Sequence, residues 1–187
     1  MKGKRFIQAF IVLACLTYIL PGCKKNNSSQ PATENNTQGG KYYLTGTVNG
    51  VSWKADVVAA GDTTNLIIII GAQMVNKDTS AIVLSFPDLA TINQSYPFNF
   101  SVNSSLAGYL SNTSNTTLYF YATIYSVGGS TGDFTITKLD RTANMVSGIY
   151  TATVTNNSSK NTLTITNGTF NMPFVMSTPS LPSNIKY

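Results

Sequence analysis

The chain has 187 residues, of which 12 are Lys or Arg, 7 are Asp or Glu and none is His. Charged residues make up only 10% of the chain and apolar residues 42%, with a formal net charge of +5. Without His, a catalytic thiol or hydroxyl lacks its usual base, so the composition argues against nucleophilic enzymes.

The first 22 residues have the pattern of a secretory signal peptide. A basic start with Lys2, Lys4 and Arg5 precedes a mostly apolar stretch from 6 to 20, and a small residue follows. The apolar stretch is shorter than the ~20 residues that a membrane-spanning helix needs. We therefore expect a cleaved secretory signal peptide at 1–22 rather than a permanent span.

The segment Leu20-Pro21-Gly22-Cys23 resembles the bacterial lipobox. In a lipobox a branched apolar residue lies three positions before a cysteine, a small residue lies immediately before it, and the cysteine becomes the acylated mature N-terminus. Cleavage before the other cysteine, Cys15, would leave an apolar N-terminus, whereas cleavage before Cys23 leaves a polar one. The resemblance implies that Cys23 carries acyl chains, such as palmitate, and anchors the protein to a membrane.

Two other roles for Cys23 are excluded by counting. Removal of the signal peptide also removes Cys15, so no second cysteine remains for an intramolecular disulfide. A catalytic thiolate would need a neighbouring base such as His, and the chain has none. An acyl anchor, in which each buried methylene contributes about 0.8 kcal/mol, is the interpretation that remains.

Residues 23–40 comprise the lipidated cysteine and a predicted polar tether, and a single β domain is predicted at 41–187. The tether is rich in Asn, Ser, Thr and Gln, and cannot bury enough apolar surface to offset its ordering entropy. The domain is long enough to build a core without disulfides or a metal. It contains seven basic and six acidic residues, a net charge of +1, which is no footprint for nucleic acid.

The domain is predicted to be all-β, because strand-forming segments alternate with turn signals and no long stretch has a helical period. Asn49-Gly50 lies between the first two segments, and this pair favours the type I′ turn of a β-hairpin. We predict an antiparallel β-sandwich or a flattened barrel of about nine strands. The predicted segments are 42–48, 51–59, 66–74, 81–86, 95–102, 117–126, 132–139, 145–155 and 161–172.

The run Leu66-Ile67-Ile68-Ile69-Ile70 differs from segments such as 145–155, in which apolar side chains and threonines alternate between the two faces. Apolar residues on both faces are typical of a strand that is covered on both sides. We expect the cover to come from the C-terminal residues 173–187 or from other packing within the chain. A second subunit or a ligand is the alternative.

The domain has few side chains that catalyse reactions. It contains no His and no Glu, since Glu34 lies in the tether, and Cys23 has no cysteine after it. The six Asp residues lie mostly in turns, where Asp usually bonds its own backbone, and no two of them have the spacing of metal ligands. We therefore expect no enzyme activity, no metal and no cofactor.

Aromatic side chains are the strongest candidates for a binding surface. In segment 117–126, Tyr119, Tyr121 and Tyr125 alternate with other residues and so share one predicted strand face. Tyrosines in a row stack on sugar rings, because they are flat, apolar and tipped with a hydroxyl; they also suit the half-buried face of a sheet. Trp53, the sole Trp, is expected to fill the core near the first hairpin.

Two stretches, 48–56 and 145–174, carry recognisable motifs. In the first, residues 48–55 read Val-Asn-Gly-Val-Ser-Trp-Lys-Ala; in the second, residues 147–150 read Ser-Gly-Ile-Tyr and residues 165–170 read Ile-Thr-Asn-Gly-Thr-Phe. They resemble the opening and closing motifs of a family of Bacteroidota lipoproteins of unknown function. The resemblance implies a lipid-anchored β domain, and it brings no known activity and no catalytic residues.

Together these features predict a lipid-anchored protein of the cell outer membrane whose β domain binds or scaffolds without catalysis. Its partners are the membrane, through Cys23, and an envelope protein or a glycan; nucleic acid is not expected. A glycan-binding module that uses the tyrosine face is the alternative function. Lys24 and Lys25 stand where surface-export signals tend to have acids, which favours the periplasmic side without excluding the cell surface.

Overall fold

The computed structural model describes residues 42–63, 65–76, 78–99, 105–113, 117–125 and 131–176. All of these residues belong to one compact unit. The predictions for the signal peptide, for Cys23 and for the tether lie outside the described residues. Within the described part, no helix has the length and apolar character needed to cross a membrane.

Strands account for most of the described residues, which confirms the all-β prediction. A single short 3₁₀ turn, Thr123–Tyr125, is the helical element of this part of the chain. The strands are β1 Tyr43–Val48, β2 Val51–Lys54, β3 Val57–Thr63, β4 Leu66–Val75, β5 Asp78–Pro87, β6 Ser95–Pro97, β7 Leu106–Thr113, β8 Thr117–Ala122, β9 Asp133–Asp140, β10 Met145–Asn156, β11 Thr162–Pro173 and β12 Val175–Met176.

The strands form one curled sheet, a half-barrel, in place of the two stacked sheets of a sandwich. Their order is β12-β3-β4-β5-β7-β8-β10-β11-β1-β2, with β9 beside the first half of β10 and β6 beside β9. The pairs are antiparallel except β12 with β3. Between β2 and β3 the backbone amide of Ala55 donates to Leu44 in β1, and that of Asp56 donates to Ala72 in β4. This bend links the β1 side of the sheet to β4.

The core fills the concave face of the sheet. In β10 Tyr150 and Val154 are buried while Ile149 and Thr151 are exposed, which confirms the predicted alternation. Phe134 lies at the centre of an aromatic cluster, stacked on Phe86 and tilted against Phe98. Burying a side chain of this size contributes about 1.5–3 kcal/mol. The large core side chains are Leu44, Trp53, Ile67, Ile69, Ile82, Leu84, Phe86, Phe98, Phe134, Ile136, Tyr150, Ile165, Phe170 and Phe174.

Different strand ends lie at the two ends of the half-barrel. The last residues of β1, β4, β7 and β10 and the first residues of β2, β5, β8 and β11 lie at one end, which we call the hairpin end. β1 begins at the opposite end with Tyr43, and β11 finishes there with Pro173. The chain therefore enters and leaves this part of the domain at that opposite end, which we call the entry end.

β4 is apolar on both faces, as predicted for 66–70. Ile67 and Ile69 are buried in the core, and the alternate side chains of the run are half-buried on the convex face. The described start of the C-terminal segment does not cover that face, because Phe174 is buried in the core and β12 pairs edge-on with β3. The expected cover by later residues stays a prediction, since the chain beyond 176 is outside the described part.

A candidate binding surface at the hairpin end

The structure brings together two of the three tyrosines predicted to share a face. Tyr119 and Tyr121 lie on β8, but Tyr125 lies in the 3₁₀ turn that follows Ala122. The ring of Tyr125 packs edge-on against Phe120, with ring centroids 6.1 Å apart. Since Phe120 alternates with Tyr119 and Tyr121, it faces the convex side of the sheet. The predicted common face is therefore wrong for Tyr125, because the strand ends before it.

Tyr119 and Tyr121 belong to two rows of side chains that cross the concave face at the hairpin end. The register places Ser80 of β5 beside Ser111 of β7, and Ser111 beside Tyr119 of β8. In the next row inward, Tyr109 of β7 lies beside Tyr121. Directly paired residues point to the same face of a sheet, so these five side chains form one surface. We call it the tyrosine stripe.

Trp53 forms one side of the tyrosine stripe. Its indole Nε1 donates a hydrogen bond of 2.8 Å to the hydroxyl of Ser80, and its side chain is only 4% exposed. The position of Trp53 follows from the β1–β2 hairpin, in which Asn49 and Gly50 take positive φ values of 47° and 83° as a type I′ turn requires. The predictions of the hairpin and of a core Trp are both confirmed.

The rings of the stripe are held in place by the core and remain partly open to solvent. Tyr109 and Tyr121 are half-buried against the core, with centroids 6.3 Å apart and ring planes at 57°. Tyr119, nearest to the hairpin end, is 43% exposed. Because packing fixes the rings of Tyr109 and Tyr121, this part of the surface needs little ordering when it binds a ligand.

The hydroxyl groups of the stripe are unusual in their hydrogen bonding. Those of its three tyrosines and of Ser111 bond no other residue in the described part of the chain. By contrast, Tyr150 donates to the carbonyl of Thr45 over 3.0 Å, and Tyr96 accepts from the amide of Thr91 over 3.0 Å. The stripe therefore presents hydroxyl groups that a ligand can bond.

Two of the six Asp residues meet at the entry end, away from the stripe. Arg141, between β9 and β10, contacts Asp62 of β3 at 3.2 Å and Asp88 after β5 at 3.4 Å. It also donates to the backbone carbonyl of Asp88. The second carboxylate oxygen of Asp88 is buried and has no partner among the described residues. Sequence patterns give no sign of this cluster, because its members are far apart in the chain.

Other carboxylates serve the backbone. Asp140 accepts from the amide of Ala143 over 2.8 Å, and this hydrogen bond lowers the pKa of the Asp140 carboxyl. Asp56 accepts from the amide of Met74 over 2.7 Å. The turn role predicted for Asp residues is thus confirmed at Asp140. Within the described ranges, no group of three or more Cys, Asp or Glu side chains is placed to hold a metal ion.

The residues of the closing motif pack against one another rather than at the stripe. In the β10–β11 pair, Tyr150 lies opposite Gly168 and Gly148 lies opposite Phe170. A Cβ atom at Gly168 would come within 2.5 Å of the Tyr150 ring, and one at Gly148 would come within 2.5 Å of the Phe170 ring. Each glycine thus makes room for the aromatic ring across from it, so the motif specifies packing.

The chain belongs to the family described as Domain of unknown function (DUF6252), whose model matches residues 41–172. The match includes the tyrosine stripe, the Arg141 cluster and both motifs. No curated protein and no solved structure matches the chain. The expectation of a family without an assigned activity is confirmed, and the narrower expectation of a Bacteroidota lipoprotein stays a prediction.

Proposed function

We propose that this DUF6252 domain is the non-catalytic binding domain of an outer-membrane lipoprotein anchored through acylated Cys23. The signal-peptide pattern and the lipobox resemblance support the anchor. The tyrosine stripe is the observation that supports the binding role, because it offers an aromatic surface whose tyrosine hydroxyls have no partner among the described residues. It contains no acid–base or nucleophilic pair, which is why the proposed role is non-catalytic.

The stripe and the start of β1 lie at opposite ends of the domain. β1 begins at the entry end, whereas the stripe lies at the hairpin end. β10, with 12 residues, runs between these ends over roughly 40 Å. As a polar tether, residues 24–40 would have a reach of roughly 20–25 Å. The proposed partners are components of the envelope, and Lys24 and Lys25 favour the periplasmic side.

The anchor is tested by two matched cysteine substitutions in the full-length protein. Cys23→Ser should move the protein from the membrane fraction to the soluble fraction, and Cys15→Ser should leave it in the membrane fraction. Mass spectrometry of the mature N-terminus should find a lipid-modified Cys23. Membrane retention of the Cys23→Ser protein, or an unmodified Cys23, would contradict the proposed anchor.

The binding role is tested by placing a photo-crosslinking amino acid at single positions in living cells. Position 119 lies on the stripe, and position 43 is a control, because Tyr43 is 36% exposed on β1 at the entry end. We expect adducts from position 119 and none from position 43. Equal adducts at the two positions, or none at position 119, would remove the stripe as the binding surface.

A further inference from the structure

The hydroxyls of the stripe restrict the chemistry of its ligand. Buried tyrosines usually bond their hydroxyls within the protein, as Tyr150 does. At the stripe, Tyr109 and Tyr121 are packed on the core, yet their hydroxyls bond no described residue. A wholly apolar ligand would bury these hydroxyls without partners, at a cost in binding free energy. The ligand therefore carries hydrogen-bonding groups of its own.

The charge of the stripe restricts the ligand further. None of its five side chains is charged, and neither is the adjoining Trp53. A carboxylate, sulfate or phosphate buried against these six side chains would gain no cationic partner from them. This arrangement favours an uncharged ligand.

The shape of the stripe suits a flat ring with polar edges. Its rows cross three neighbouring strands, β5, β7 and β8, over roughly 10 Å. Tyr119 is exposed, Ser111 is paired with it across the sheet, and Tyr121 lies on the same strand face. A sugar ring has an apolar C–H face and hydroxyls around its edge. We infer that the tyrosine stripe binds an uncharged carbohydrate, with one ring stacked on Tyr119; this inference rests on the proposed function.

The test uses the purified Cys23→Ser chain on an array of neutral and acidic oligosaccharides, followed by calorimetry with the best neutral ligand. Tyr119→Ala should weaken binding roughly three- to tenfold, because the stacking contact is lost. Tyr119→Phe should weaken binding less than Tyr119→Ala does, since it keeps the ring and removes only the hydroxyl. Tyr43→Ala should bind as the parent does. Binding should stay constant from about 0.1 to 1 M NaCl, because no ion pair is involved.

Several results would overturn the inference. The first is a correctly folded protein that binds no neutral oligosaccharide, and the second is binding confined to acidic oligosaccharides. The third is an equal loss of affinity in the Tyr43→Ala and Tyr119→Ala variants. The thermal transition of each variant should match that of the parent, which separates lost binding from lost folding. An empty array together with protein adducts from position 119 would refute the carbohydrate and retain the binding role. An empty array without such adducts would refute both.

Discussion

Gly168 illustrates how a single residue is dictated by the side chain across from it. The nearest heavy atoms to a Cβ at this position would be ring atoms of Tyr150, at 2.5 to 2.6 Å. Gly168→Ala should therefore destabilise the domain by about 1–3 kcal/mol, as overpacking in a core does. Urea unfolding measures the loss. Gly61→Ala is the matched control, because nothing lies within 4 Å of a Cβ there; an equal loss in both variants would disprove the packing role.

The hydroxyl of Tyr150 makes the free energy of unfolding depend on pH in the alkaline range. Burial raises the pKa of Tyr150 above its ordinary value. Above about pH 10 the unfolded chain loses the phenol proton while the folded chain keeps it, so the free energy of unfolding falls as pH rises. Tyr150→Phe should cost about 1 kcal/mol at pH 7, because the hydrogen bond to Thr45 is lost. In urea unfolding this difference should shrink near pH 11; an unchanged difference would contradict the shifted pKa.

At the scale of elements, the β1–β2 hairpin is held by its turn and by β11. Asn49 has a positive φ, and its side-chain oxygen accepts from the amide of Thr164 over 2.8 Å. Asn49→Gly keeps the backbone conformation and loses this bond, so it should cost about 1 kcal/mol. Asn49→Ala also strains the backbone and should cost about 1–2 kcal/mol more. Thermal unfolding compares the stability of the two variants. An equal loss of stability in both would show that the positive φ at position 49 does not contribute to the cost.

Strands with strict alternation could be predicted from the sequence, and β7 could not. β10 places apolar residues at every second position, and β9 and β11 do so at Phe134 and Ile136 and at Leu163 and Ile165, so the faces of these strands and their approximate bounds were predictable. β7 contains Gly108, Ser111 and Asn112, which are poor strand formers. A Cβ at Gly108 would make a tight contact of 3.3 Å with the ring of Phe120 on β8. That contact depends on the neighbouring strand, and no local pattern within β7 reveals it.

The candidate site was predictable only where one strand supplies it. Alternation within β8 identified Tyr119 and Tyr121, but the serines and Tyr109 join them through a register across three strands. Tyr125 was misplaced because the chain leaves the sheet after β8. There the hydroxyl of Thr123 accepts from the amide of Ala107 over 3.2 Å. A side chain thus takes the place of a ladder partner, which strand alternation does not predict.

At the scale of the whole molecule, the two ends of the half-barrel carry different groups of side chains. The hairpin end carries the stripe on packed strands, and the entry end is tied by Arg141 across segments 53 and 79 residues away in the chain. Contacts of such long range close large loops, and no local sequence pattern specifies them. Changes at the entry end should therefore alter stability and leave ligand binding unchanged.

Arg141 allows that separation to be tested. Its side chain is 41% exposed, so its ion pairs with Asp62 and Asp88 are screened, and Arg141→Met should cost about 1 kcal/mol. Arg141→Lys should recover part of this loss, since an ammonium cannot bond both carboxylates and the Asp88 carbonyl in the same geometry. Added salt should narrow the gap between the parent and Arg141→Met in urea unfolding. A larger gap at high salt, or altered adduct formation from position 119, would show that the entry end is not an independent electrostatic tie.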